Sequence, residues 1–285
     1  MDYTFDSMFY HEGEFIGGLD ESGVSDIAGP LVAACVILPK IDIHKHDLKI
    51  LEINDSKQIP EKYRKQHAEV VWNVATAIGI GEVNPIEIDY IGKYAAIRLA
   101  MLRAISACKK PGTGKHIKPD FLLIDGELAI PTPIKNKVIK KADAKSLSVA
   151  AASIIAKVYR DDLMVKLHEH YPFYDWESNK GYPCENQFKG IDSQGIQVGI
   201  HRTKFWPFIE NPKLSPTEKE FWRKRRAHWR AVTEARLFTE LGGVQWTSKS
   251  KLTKHLTSLT SLQEKAQQTI SERQLPERQT EQSFS

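Results

Sequence analysis

Apolar and β-branched residues run from Phe15 to Asp20 and again from Leu31 to Leu38, with a connection containing Gly and Pro between them. That pattern predicts two neighbouring strands. Thr76 to Val83, "TAIGIGEV", predicts a third. In the following "NPIEIDYIGKYAAIRLAMLRAISA", Ile91, Ala95, Leu99, Leu102 and Ile105 recur at helical spacing, and Asn84 and Pro85 open the region as cap and first turn. "FLLID", Phe121 to Asp125, reads as a short buried strand ending in a carboxylate. "NKVIKKAD" reads as one more strand. The segment "AKSLSVAAASIIAKVYRDDLMVKLHEHYP" then predicts a long helix with Leu147, Ala151, Ile154 and Val158 on one face and Asp143 as its cap. Several strands, a helix, two strands and then helices make an α/β arrangement with an antiparallel opening.

Past Phe208 the character changes. "NPKLSPTEKEFWRKRRAHWRAVTEARLF" predicts a basic helix, and from Ser248 onward Ser, Thr, Gln, Glu and Lys dominate. That last composition predicts disorder, with one weak helix around Leu256 to Ala266. With 285 residues, 41% of them hydrophobic, the chain can bury a sizeable core. Cys35, Cys108 and Cys184 lie far apart without C-x-x-C spacing, so neither a disulfide framework nor a zinc site is indicated and a reducing cytoplasm is expected. The start, "MDYTFDSMFYHEGEF", lacks a basic segment followed by an apolar run, and nowhere do about 18 apolar residues follow one another. Secretion and a membrane partner are therefore not expected. A net charge of +4 permits a nucleic-acid partner without requiring one.

The acids carry more information. Two predicted strands end in carboxylates, at Asp20 with Glu21 and at Asp125, and the long helix begins near Asp143. Ends of adjacent strands lie about 5 Å apart, so acids distant in sequence can converge there. Converging anions repel and raise one another's pKa unless a cation shares the site. Oxygen ligands without His or Cys select Mg²⁺ or Mn²⁺, and two such ions roughly 3.5–4 Å apart can activate water and stabilise a leaving oxygen in phosphodiester hydrolysis. Singly, an Asp after a strand is most often a turn or cap residue. Glu21 directly after Asp20 requires a bend if both are to face one site, and Gly17, Gly18 and Gly23 permit it.

The segments "GGLDESGVSDIAGPLVAACVIL", "NDSKQIPEKYR", "IGIGEVNPIEID", "FLLIDGEL", "KADAKSLSVAAASIIAKVYRDDLM", "YPFYDWESNKGYP" and "IHRTKFWP" occur in an order that resembles the type 2 ribonucleases H, bacterial ribonuclease HII above all. The resemblance runs from about Phe15 to Pro207. It implies a ribonuclease H-like fold, a central five-stranded mixed sheet flanked by helices with a helical C-terminal portion. The implied division is an N-terminal arm (1–14), a catalytic domain (15–208), a basic helical extension (209–247) and a mostly disordered tail (248–285). The resemblance implies that Asp20, Glu21, Asp125 and Asp143 form the metal site, with Asp20 and Asp125 bridging or flanking Mg²⁺ or Mn²⁺ while Glu21 and Asp143 complete the shell. The implied activity is hydrolysis of the RNA strand of an RNA/DNA hybrid, leaving 5′-phosphate and 3′-hydroxyl ends, by a monomer in the cytoplasm.

Typical ribonuclease HII has Gly-Arg-Gly where this chain has Gly23-Val24-Ser25, followed by Asp26. The missing arginine removes a fork of donors from the loop that grips an RNA-to-DNA junction. The junction-packing tyrosine is matched by Tyr182. Cleavage of ribonucleotide runs with weak excision of an isolated ribonucleotide is therefore expected. Lys57, Lys145 and Ser146 match substrate-side positions, and His201 and Arg202 match either the edge of the site or a structural support. In residues 217–236, seven Lys or Arg stand against three Glu, with Trp222, Arg226 and Trp229 on one helical face. That composition fits either a further nucleic-acid or protein contact or, slightly better, a helix docking its tryptophans on the core. A hybrid-binding protein with little catalysis, or another two-metal nuclease on this fold, are the alternative readings.

Overall fold

Small and β-branched residues dominate the first two strands, β1 (Ile16–Ser22) and β2 (Leu31–Ile37), which pair antiparallel with Asp20 opposite Ala34. In the computed structural model, which describes residues 5–40 and 59–240, the sheet continues with β3 (Ala77–Val83) antiparallel to β2. On the other side β4 (Phe121–Asp125) and β5 (Lys135–Ile139) join in parallel. The strand order is β3-β2-β1-β4-β5, the five-stranded mixed sheet expected. Helices α1 (Glu61–Val74), α2 (Pro85–Ile91), α3 (Lys93–Ser106) and α4 (Leu147–His170) flank it. Short α5 (Trp176–Asn179), α6 (Glu185–Gln194) and long α7 (Pro216–Glu240) follow.

The period of two along β2 divides its side chains between two cores. Val32, Ala34 and Val36 pack with α1 and α4, whereas Leu31, Ala33 and Cys35 pack with α3. Asp20 shares the first face and Glu21 the second, because β1 stays in register through Ser22 without the bend that would bring both to one side.

The region after β3 departs from a single helix. Asn84 caps α2 in a reciprocal box with Glu87, and Gly92, at φ +81°, ends it before α3 begins. The buried stripe of α3 is Ala96, Ile97, Ala100, Met101 and Ala104, shifted from the larger Leu99, Leu102 and Ile105, which are only partly covered. The cause is proximity. A Cβ on Gly79 or Gly81 would stand 2.0 Å from the carbonyl of Ala104 or Ala100, so the helix backbone rests on strand glycines and only small residues fit between.

The chain up to Thr233 forms one compact unit, and Glu234 onward clusters separately. Within the first unit, α7 docks by its tryptophans. Trp229 is buried and donates to Asp192 Oδ1 at 2.6 Å, while Arg225 grips both oxygens of that carboxylate and lies 5.1–5.6 Å from the rings of Phe188, Trp222 and Trp229. Lys219, Lys224 and Arg230 remain outward. The expected tail, 248–285, and Lys57 lie outside the described residues.

Because Ala100 presents backbone rather than a flexible side chain, Gly81→Ala should cost about 1–3 kcal/mol. Thermal unfolding checks this, and an unchanged midpoint would mean that α3 does not rest on β3.

Candidate active site

Parallel pairing of β1 with β4 runs from Ile16 opposite Phe121 to Leu19 opposite Ile124. One step further, Asp20 and Asp125 are neighbours at the C-terminal ends of adjacent strands. Asp143 arrives from a 3₁₀ turn, Ala142–Ala144, that follows β5. One carboxylate oxygen from each of Asp20, Asp125 and Asp143 lies within 4.8 Å of the others. The turn is tied to the strand end, since Asp125 Oδ1 accepts from the Ala142 N–H at 2.6 Å. Lys141, just before it, takes a left-handed conformation (φ 54°), an unusual setting for a side chain that re-aims the chain into the site.

Asp20 is nearly fully buried. Burial pushes its carboxyl well above the usual range, and the charges of Glu21 and Asp125 push the same way. Hydrogen bonds from Ser153 and from the Glu21 N–H, the latter 2.7 Å to Asp20 Oδ1, oppose them without cancelling them. Glu21 is half-buried and adjacent but outside the three-acid set. A divalent cation suits this donor set. It would offset repulsion that the protein's own hydrogen bonds leave in place, and oxygen-only ligands favour a hard ion.

The helix cap differs from expectation. Asp143 does not cap α4. Ser146 does, accepting from the Val149 N–H at 3.3 Å, because the intervening 3₁₀ turn sets Asp143 three residues ahead of the cap. Ser146, placed by resemblance at the substrate, is fully buried, with its hydroxyl 3.1 Å from that of Ser148. Its part is to start the helix. The N–H of Ser148 instead donates to Asp6 Oδ2 at 2.9 Å, so the N-terminal arm also caps α4. Asp6 was missed in the sequence. The available signal was the i, i+4 pair Phe5 and Phe9 around it, which packs beside Phe121, Ala142 and Val149. The start of α4 also presses on β1, since a Cβ on Gly18 would lie 2.1 Å from the Ser148 carbonyl carbon.

Around the acids, Val24 is partly buried against the α3-side core and Ser25 is exposed. Tyr182 stands 56% exposed, free to present its ring. Lys145 is exposed and donates from Nζ to the Lys140 carbonyl at 3.1 Å. Arg202 is wholly buried and bonds to backbone carbonyls, and His201 packs against Tyr174, Trp176 and Phe208, so both support the structure from within.

The fold is shared with known structures. The crystal structure of ribonuclease H2 from Pyrococcus horikoshii superposes with a TM-score of 0.59 at 22% identity, covering 76% of this chain and 99% of that one. Ribonuclease HII in its complex with PCNA from Archaeoglobus fulgidus gives 0.54 at 23% identity, covering 72% and 99%. These likenesses establish the fold. In sequence, residues 17–207 match the family model for ribonuclease HII. The chain is 42% identical over 203 residues to ribonuclease HII of Caldanaerobacter subterraneus subsp. tengcongensis, covering 70% of this chain and 78% of the relative. It is 44% identical over 189 residues to that of Bacteroides thetaiotaomicron, covering 66% and 88%. The protein belongs to the ribonuclease HII family and is a hydrolase of the ribonuclease H type.

A carboxyl with a raised pKa binds more protons in the folded than in the unfolded state, so metal-free stability falls as pH climbs from the ordinary aspartate range through the raised value. Asp20→Asn should therefore raise the melting temperature at neutral pH without divalent ions, by about 2–4 °C per kcal/mol of relieved repulsion. The gain should shrink toward pH of about 4. Added Mn²⁺ should stabilise the wild type and leave the variant nearly unchanged. Superimposable melting curves for the two proteins across pH would contradict this account of the site.

Proposed function

We propose that this protein hydrolyses the RNA strand of RNA/DNA hybrids with two divalent ions, Mg²⁺ or Mn²⁺, leaving 5′-phosphate and 3′-hydroxyl ends. The observation that carries the reading is the convergence of Asp20, Asp125 and Asp143 in a chain of the ribonuclease HII family. When bound, such ions supply water activation and charge stabilisation at the leaving oxygen. The chain's part is to hold them. Asp20 and Asp125 would lie between or beside the ions, and Asp143 would complete the set from its turn. Glu21 would hold and orient water from the neighbouring side of the strand end.

Substrate recognition would fall to the Gly23-Val24-Ser25 loop, to Tyr182 and to Lys145 on the Asp143 side. A base-sized ring can stack on an exposed tyrosine, and a 2′-hydroxyl is the feature by which a protein tells RNA from DNA. Val24 turns its side chain toward the core and offers no cation to a phosphate, so the loop is left with backbone donors and the Ser25 hydroxyl. An isolated ribonucleotide gives such a loop few contacts, whereas a run of them gives several registers.

With a labelled hybrid and Mg²⁺ or Mn²⁺, Asp20→Asn or Asp125→Asn should lower kcat by about 10³-fold or more, the scale of lost electrostatic stabilisation of a transition state. Activity near wild type in either variant would sink the proposal. A duplex with one embedded ribonucleotide should be cut with kcat/KM at least about ten-fold below an all-RNA strand, the equivalent of one charged contact. Equal efficiency on the two substrates would show that the loop discriminates without an arginine.

A further inference from the structure

The segment joining β1 to β2, from Gly23 to Pro30, is held from beneath by two buried arginines. Arg160 of α4 donates from Nε to the Pro30 carbonyl (2.9 Å), from Nη1 to Lys180 (2.8 Å) and from Nη2 to Ala28 (3.1 Å). Its Nη2 also lies 2.7 Å from Asp26 Oδ2. Arg202 donates from Nε to the Gly29 carbonyl (2.9 Å) and from Nη1 to that of Gly23 (2.5 Å). Four carbonyls of one loop thus accept from two guanidinium groups. Backbone bonds close the cradle, from Ile27 N–H to Gly181, Gly29 N–H to Ile200 and Arg202 N–H to Ile27. Asp89 fixes the next residues by accepting from the N–H and hydroxyl of Thr203 and from the Lys204 N–H. Gly23 is at φ +91°, and a Cβ there would stand 2.1 Å from Arg160 Nε, so the guanidinium occupies the space a side chain would need.

Two cations buried side by side are costly unless anions compensate them. Burial pulls Arg202 down to about 9, the Arg160 charge pulls the same way, and Asp26 and Asp89 oppose both. Asp26 is the acid paired directly with Arg160. The loop's backbone direction follows from these bonds. In a trans peptide the C=O and the following N–H point opposite ways, and among the described residues the only cis bond is Trp206–Pro207. Arg202 drawing the Gly23 carbonyl inward therefore turns the Val24 N–H away from the clamp.

We infer that Arg202 and Asp26 are positioning residues for substrate binding: Arg202 orients the Gly23–Val24 peptide so that its N–H faces outward as a donor, and Asp26 holds the arginine pair in place. This deepens the proposed reaction and rests on the Gly23–Ser25 loop touching the hybrid. With no cation in that loop, the grip depends on the direction of backbone donors and hence on the clamp beneath them.

The inference has a distinctive sign. Asp26 is a negative charge close to where a polyanion would bind, so by its field alone Asp26→Asn would tighten hybrid binding, most at low salt. Positioning predicts the reverse. The full chain is titrated with a fluorescent RNA/DNA hybrid in EDTA to obtain Kd by anisotropy, and cleavage is measured in parallel with Mg²⁺. Asp26→Asn should raise Kd and KM about five-fold, the weight of roughly one hydrogen bond, with kcat at saturating hybrid held within about two-fold. Arg202→Lys, which keeps the charge but cannot reach two carbonyls, should raise Kd at least as much. Should that variant fail to fold, Asp26→Asn decides alone. A Kd for Asp26→Asn that is unchanged or lower, or a loss confined to kcat, would overturn the inference. A wild type that binds hybrid without cutting it would instead overturn the proposed reaction, and the comparison of Kd values would still judge the clamp.

Discussion

The cost of ionising a buried carboxylate beside other acids is the constraint that organises this protein. Asp20, Asp125 and Asp143 hold oxygens within 4.8 Å of one another, and burial has already raised the cost of ionising Asp20. No chain keeps such groups together by attraction between them. They are held by the backbone, through the β1–β4 ladder that ends beside Asp20 and through the Ala142 N–H bound to Asp125. The strain that remains is what a divalent cation can relieve, and affinity for the ion comes from the same source as the instability of the site without it.

Helix α4 transmits this constraint to the rest of the molecule. Its first turn lies against Gly18 of β1, its Ser153 bonds to Asp20, and its start is fixed by Ser146 and by Asp6 from the arm. Two turns beyond Ser153, Arg160 reaches under the loop that follows β1. A single helix therefore braces both Asp20 and the adjoining loop. This is why a small displacement of α4 would be felt at both places, and why that helix is buried almost all round over its first three turns.

Much of this was legible in the sequence because strand ends are where local pattern and chemistry coincide. An apolar run closing on an acid placed Asp20 and Asp125 without knowledge of topology, and the mixed five-stranded sheet followed from resemblance. What failed depended on contacts between distant segments. Asp143 looked like a cap because capping is judged over four residues, whereas the 3₁₀ turn is tied to Asp125, 17 residues before Ala142. The buried stripe of α3 was hidden because Gly79 and Gly81 on another element decide which of its faces is small enough to fit. Phe5 and Phe9 could mark the arm as packed, but the role of Asp6 depends on Ser148, far along the chain. Helical spacing placed Trp222 and Trp229 on one face of α7 and favoured their docking on the core, but not the partner Asp192, which lies on α6.

Anomalous diffraction from crystals grown with Mn²⁺ tests the central claim most directly. The account predicts a peak in coordination distance of Asp20, Asp125 and Asp143 together, absent from crystals of Asp20→Asn. A Mn²⁺ peak elsewhere on the molecule, with the three carboxylates left to solvent and protein hydrogen bonds, would contradict it.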